Sequence, residues 1–149
     1  PKRAQLNDIT QWVKECAQAA AMATRTQVEV HREGEPYHEL YISPSGRSAL
    51  EESYRILGLP LEQGTVGMTG SSDIGNVDYH CPAFHPIMGI GREVQCHTPE
   101  FAEEMTKPNT HAAIKNSADL ILTMAAKLYG NPDLMEQVKA EHRAYRQGT

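Results

Sequence analysis

Seven histidines and three cysteines are the side chains of this 149-residue chain best suited to hold a metal or attack a bond. Their spacing restricts what they can do. None of His31, His38, His80, His85, His97, His111 and His142 lies in an H-E-x-x-H stretch, which would put two imidazoles on one helix face. Cys16, Cys81 and Cys96 form no C-x-x-C pair. His31 stands in an alternating stretch, His111 near a helix start and His142 in a charged terminal helix. Each of these three reads as a surface or capping residue. His80 and His85 flank Cys81-Pro82, and with His97 they give one alternative metal set. His97 differs in context. It sits in Gln95-Cys96-His97-Thr98-Pro99-Glu100-Phe101, a loop leaving a glycine-rich apolar region, and ligand sites are built on such loops at sheet edges. It reads either as a ligand-binding imidazole or as a loop histidine bonded to backbone. Cys96 beside it makes no thiolate–imidazole dyad, because successive side chains of an extended chain point apart.

A second stretch with chemical potential is Gly70-Ser71-Ser72-Asp73. No Lys follows its glycines, so it is not a phosphate loop, and it lacks the G-x-S-x-G of a nucleophile elbow. A serine triad drawn from Ser71 or Ser72, Asp73 and a histidine rests on composition alone. The small residues expose backbone N–H groups able to bind an anionic or oxyanionic group. The same stretch also reads as a tight turn joining two buried elements.

The elements that must position these residues follow from periodicity. Leu6, Ile9, Val13, Cys16, Ala17 and Ala20 recur every three to four residues and predict a helix, ended by Thr24-Arg25-Thr26. Val28 and Val30 alternate with polar neighbours and predict a strand. Ser43-Pro44-Ser45-Gly46 marks a boundary. A helix follows it with Ala49, Leu50, Ser53, Tyr54 and Leu57 on one face, stopping at Gly58 and Pro60. Apolar runs at 65–68 and 84–90 have the length of buried strands, and the loop between them allows a helical turn. Residues 108–129 carry Ile114, Ala118, Ile121, Leu122, Ala125 and Leu128 on one stripe. Asn131 then caps a last helix, with Pro132 and Asp133 in its first turn. Alternating helices and strands give an α/β class. The first helix–strand unit lacks companion strands, so it docks on the rest or has partners elsewhere.

Composition removes several functions. Lys plus Arg is 14 and Asp plus Glu is 19, a net charge of −5, which opposes a basic nucleic-acid footprint. The longest apolar run, 19–23, is far short of the roughly 20 residues of a membrane helix. Three sparse cysteines favour a reducing, cytoplasmic setting over a disulfide scaffold. The chain opens on Pro1 rather than Met, which reads as Met removal or as an upstream part not included.

These residues carry a resemblance. The run Gly70-Ser71-Ser72-Asp73-Ile74-Gly75-Asn76-Val77, then Pro86-Ile87-Met88-Gly89-Ile90-Gly91, then His97-Thr98-Pro99-Glu100-Phe101, then a long alanine-rich helix, is similar to the C-terminal part of the zinc-dependent amidohydrolase and peptidase family. Aminoacylases, carboxypeptidase G, auxin-conjugate amidohydrolases and p-aminobenzoyl-glutamate hydrolase belong to that family. The resemblance implies an α/β architecture. Residues 1–43 would be the end of an inserted ferredoxin-like lid that pairs two subunits, and 44–149 the C-terminal part of a phosphorylase/hydrolase-like catalytic domain. It implies metal-dependent hydrolysis of an amide bond in N-acyl amino acids or small peptides, with one or two ions of zinc, manganese or cobalt. His97 would be a metal ligand. Gly70 and Ser71 would line the substrate side, Asp73 would hold that loop's shape, and Thr98 would support the ligand from behind. The family's H-x-C/D-G-H-D motif, its paired glutamates and its further histidine have no counterpart here. Glu51-Glu52 and Glu103-Glu104 are acidic pairs outside the matching context. The general base is therefore expected in an N-terminal half, without which this chain would be inactive. The other reading is a non-catalytic interaction module of the same ancestry.

Overall fold

Three of the described helices start where the sequence supplies both a capping side chain and a proline in the first turn. The computed structural model describes residues 2–61 and 72–148. Among them six helices follow in order: α1 (Arg3–Thr24), α2 (Pro44–Ile56), α3 (Ile74–Asp78), α4 (Pro99–Glu104), α5 (Pro108–Gly130) and α6 (Pro132–Gln147). Ser43 Oγ accepts the Gly46 N–H (3.1 Å) at the start of α2, and Asn131 Oδ1 accepts that of Leu134 (3.1 Å) at the start of α6. At the end of α1, Arg25 takes the left-handed conformation (φ 54°) normally given to glycine, and the Thr26 N–H returns to the Ala21 carbonyl (2.9 Å).

The expected α/β class, with its ferredoxin-like lid, is corrected. The described residues contain no strand. Residues 27–31 belong to no ladder, with Val28 41% and Val30 51% exposed. The run 65–68 lies outside the described residues. In the apolar run 84–90, expected to be a buried strand, burial alternates instead: Phe84, Pro86, Met88 and Ile90 are half-buried, while His85, Ile87 and Gly89 are exposed. Alternation alone does not make a strand, since a ladder needs a second extended segment to exchange N–H and C=O bonds. Pro86 also removes a donor from this segment.

The chain divides into two compact units, Pro1–Tyr41 with Thr69–Ala83, and Ile42–Met68 with Phe84–Thr149. In the first, α1 and the segment 36–41 meet through the Arg3 N–H, which donates to Glu39 (3.1 Å). In the second, α2, α5 and α6 pack on one another around Ala49, Tyr54, Ala113, Leu120, Met124 and Val138. Leu120 and Val138 are 1% exposed, each worth about 1.5–3 kcal/mol of burial. The stripe predicted to face the core of α5 is displaced: Ile114, Ile121 and Leu122 are exposed, and Thr110, Ala113, Leu120 and Met124 are buried. Among the described residues no helix is long and apolar enough to cross a membrane.

Candidate functional site

In the second unit, residues 84–90 lie along the helices, and a groove of about 200 Å³ opens among Tyr54, Phe84, Met88, Leu120 and Ile121. The Tyr54 hydroxyl donates to the Ile87 carbonyl (3.2 Å), and burial pushes its phenol pKa up. The chain then turns at Gly91 (φ 82°) into the loop that carries Cys96 and His97. His97 is exposed and holds a left-handed backbone (φ 65°). For a side chain with a Cβ this conformation costs roughly 1–2 kcal/mol, and such residues concentrate at functional sites.

Thr98 closes that turn. Its hydroxyl donates to the Gln95 carbonyl (2.8 Å) and accepts the Phe101 N–H (3.2 Å), capping α4. A residue expected to support a ligand from behind is therefore placed where it shapes the backbone on both sides of His97.

Glu104, at the end of α4, gathers the surrounding charge. Its Oε2 accepts from Lys107 Nζ (2.9 Å) and Arg92 Nη1 (3.3 Å), and its Oε1 from Asn109 Nδ2 (3.1 Å). The Lys107 bond, helped by Asn109, holds the Glu104 carboxyl below the usual carboxylate range, and Glu104 in turn raises Lys107.

The substrate-side candidates fall in the first unit. Gly70 and Ser71 lie outside the described residues. Asp73 is exposed at the start of α3 and makes no side-chain cap bond there. Its carboxylate accepts from Ser72 Oγ (3.4 Å), which itself accepts the Ile74 N–H (3.3 Å). Downstream, Asp78 is fully buried and accepts the N–H groups of Tyr41 (2.9 Å) and Ala83 (3.1 Å). Asn76 accepts the His38 N–H (2.8 Å) and donates to the Pro36 carbonyl (3.5 Å).

Among the described residues no group of three or more His, Cys, Asp or Glu side chains could hold a metal ion. Of the alternative set, His80 belongs to the first unit and His85 and His97 to the second. The described residues therefore do not by themselves fit the implied zinc, manganese or cobalt centre, which needs about three protein ligands. Cys16, Cys81 and Cys96 are exposed free thiols. His31 pairs with Glu29 (3.2 Å) on the surface. His142, expected at the surface, is instead buried on the inner face of α6.

The roles of Glu104, Asn76 and Asp78 escape sequence reasoning. The one visible signal is the Glu104/Lys107 spacing of three, which pairs side chains on a helical turn. Nothing in the sequence shows that Arg92 and Asn109 converge on the same carboxylate.

No protein-family model matches the chain. It is similar to two curated proteins, the Xaa-Arg dipeptidases of Mus musculus and Homo sapiens, at 27% and 26% identity over 146 residues. Each alignment covers 96% of this chain but 34% of the relative, so the chain spans about a third of the length of the relatives it matches. The chain is thus distantly related to peptidases along nearly its whole length.

Proposed function

We propose that this chain is part of a hydrolase that cleaves an amide bond in small peptides or N-acyl amino acids. The observation that carries this reading is the likeness to Xaa-Arg dipeptidases across 96% of the chain. The left-handed, exposed His97 inside that span supports it. A dipeptide ending in arginine is the first substrate to test. In this reading His97 is one donor to a metal centre completed outside this chain, and the residues around Gly70 and Ser71 line the substrate. Thr98 holds the turn behind the imidazole, and Asp73 belongs to the edge of the substrate loop. The general base belongs to the polypeptide that supplies the remaining ligands. Pairing of two copies through residues 1–43 and a cytoplasmic setting belong to the same proposal.

The test is complementation. The chain is co-expressed with a polypeptide matching the remaining two thirds of the relatives' length, and Xaa-Arg hydrolysis is measured with added zinc or manganese. Activity is expected only from the combination, and His97→Ala should abolish it. Co-purification without activity, or a His97→Ala assembly within about tenfold of the original, would sink the assignment.

A second reading, a non-catalytic interaction module, is favoured by one observation: Ile114, Ile121 and Leu122 are 62–67% exposed on α5. Sedimentation of the isolated chain separates the two. A monodisperse monomer at all concentrations, with no binding of an apolar dye, contradicts the interaction module.

A further inference from the structure

Residues 91–104 leave segment 84–90, carry His97 near their middle and return to the bundle. The two ends of this excursion meet on one side chain. Glu104 is 3% exposed. Its carboxylate receives Arg92 from the start of the loop (3.3 Å) and Lys107 from beyond its end (2.9 Å). Asn109 donates both to Glu104 Oε1 (3.1 Å) and to the Ile90 carbonyl, so the last residue before the loop is tied to the same carboxylate. The Glu104 carbonyl accepts the buried Thr110 hydroxyl (2.8 Å), which fixes the carboxylate's own backbone to α5. Glu104 is buried while its cationic partners reach solvent, so the cluster is a poor source of net stability, and the best attested use of a buried charge is to select one arrangement among several. The loop it closes needs such selection, because a left-handed non-glycine residue persists only where its surroundings over-determine it.

We propose that Glu104 is the positioning residue of the His97 loop: by joining Ile90 and Arg92 to the start of α5, its carboxylate fixes where the imidazole is presented. This rests on the reading of His97 as a functional side chain. Glu104 itself touches no reacting atom and acts only through the loop.

The readout is the imidazole rather than hydrolysis. The 149-residue chain is labelled at its histidine rings, and the His97 resonance is identified with His97→Gln. Glu104→Gln, Arg92→Gln and Arg92→Lys are compared with the original chain. Glu136→Gln serves as control, because it breaks an ion pair of similar kind with Arg143 (2.6 Å) on α6. Glu104→Gln and Arg92→Gln are expected to broaden or split the His97 resonance, and Arg92→Lys to restore a single line. Glu136→Gln should leave it unchanged, and the His142 line and the helical circular dichroism should be retained throughout. Should Glu104→Gln not fold, Arg92→Gln carries the test, since that side chain is 61% exposed. A His97 line unchanged in both variants overturns the proposal. So does a shift shared with His142, which would mean general loosening. An inactive assembled hydrolase with a disturbed His97 line would defeat the peptidase reading and leave the positioning role standing.

Discussion

The Glu141 carboxylate of α6 accepts both the backbone N–H (3.0 Å) and the hydroxyl (2.7 Å) of Ser45 in the first turn of α2. An acidic side chain from one helix thus serves the N-terminus of another, where donors are unpaired and the dipole favours negative charge. Glu141→Ala should cost about 1 kcal/mol in urea denaturation, the usual worth of an N-terminal cap. Burial pushes the Glu141 carboxyl up, but the bonds from Ser45, Gln137 and Ser43 together outweigh it, and the net shift is downward. A depressed folded-state pKa stabilises above the unfolded value, about 4.3 for Glu, and that contribution is lost as pH falls through the folded value. Denaturation curves from pH 7 to pH 3 should therefore show an acid loss of stability that is smaller in Glu141→Gln.

Neighbouring positions of α5 should respond oppositely to substitution. Leu120→Ala is expected to cost about 2–5 kcal/mol, since the side chain is 1% exposed between helices. Ile114→Lys and Ile121→Lys, at 62% and 63% exposure, should stay within roughly 0.5 kcal/mol in the isolated chain. Chemical denaturation of the three variants checks the face assignment directly.

Gly75 tolerates no side chain. A Cβ built there would stand 1.8 Å from the His38 carbonyl oxygen, a backbone atom that cannot swing aside. Gly75→Ala should cost more than about 3 kcal/mol or force the 36–41 segment off α3, beyond the usual range for overpacking. Hydrogen exchange at His38 and Tyr41, whose N–H groups bond to Asn76 and Asp78, reports the detachment.

At His97 backbone and imidazole can be separated. His97→Gly should leave stability unchanged or raise it by up to about 1 kcal/mol, because glycine takes the left-handed conformation without the Cβ penalty. In an assembled hydrolase the same change should remove activity. Cys96→Ser should alter neither, as the exposed thiol has no assigned chemistry. Loss of stability in His97→Gly would show that the ring itself supports the fold.

The four long helices were legible because their signals are local: Ser43-Pro44, Asn131-Pro132-Asp133, and apolar spacing near 3.6. The face of α5 was not, because that helix carries apolar residues almost all round, and only its neighbours select Leu120 over Ile121. The strands misread at 27–31, from alternation, and at 84–90, from an apolar run of strand length, show the converse. Period-two alternation reports one covered face, while a ladder depends on a partner segment that local sequence does not specify. His97 was singled out by its loop context, but its left-handed backbone has no sequence marker. The convergence on Glu104 draws on positions from 90 to 110 and exists only in the fold.

Asn76 has a consequence for the segment laid against α3. Its side-chain amide accepts a hydrogen bond from the His38 N–H and donates one to the Pro36 carbonyl, as a neighbouring strand's peptide group would. The alignment of residues 36–41 is thus specified by two side chains of a single helical turn and its surroundings, Asn76 and Asp78, rather than by a repeating backbone ladder. Replacing one amide nitrogen by oxygen at position 76 would set two acceptors face to face, and hydrolytic ageing of that asparagine would accomplish this without any mutation.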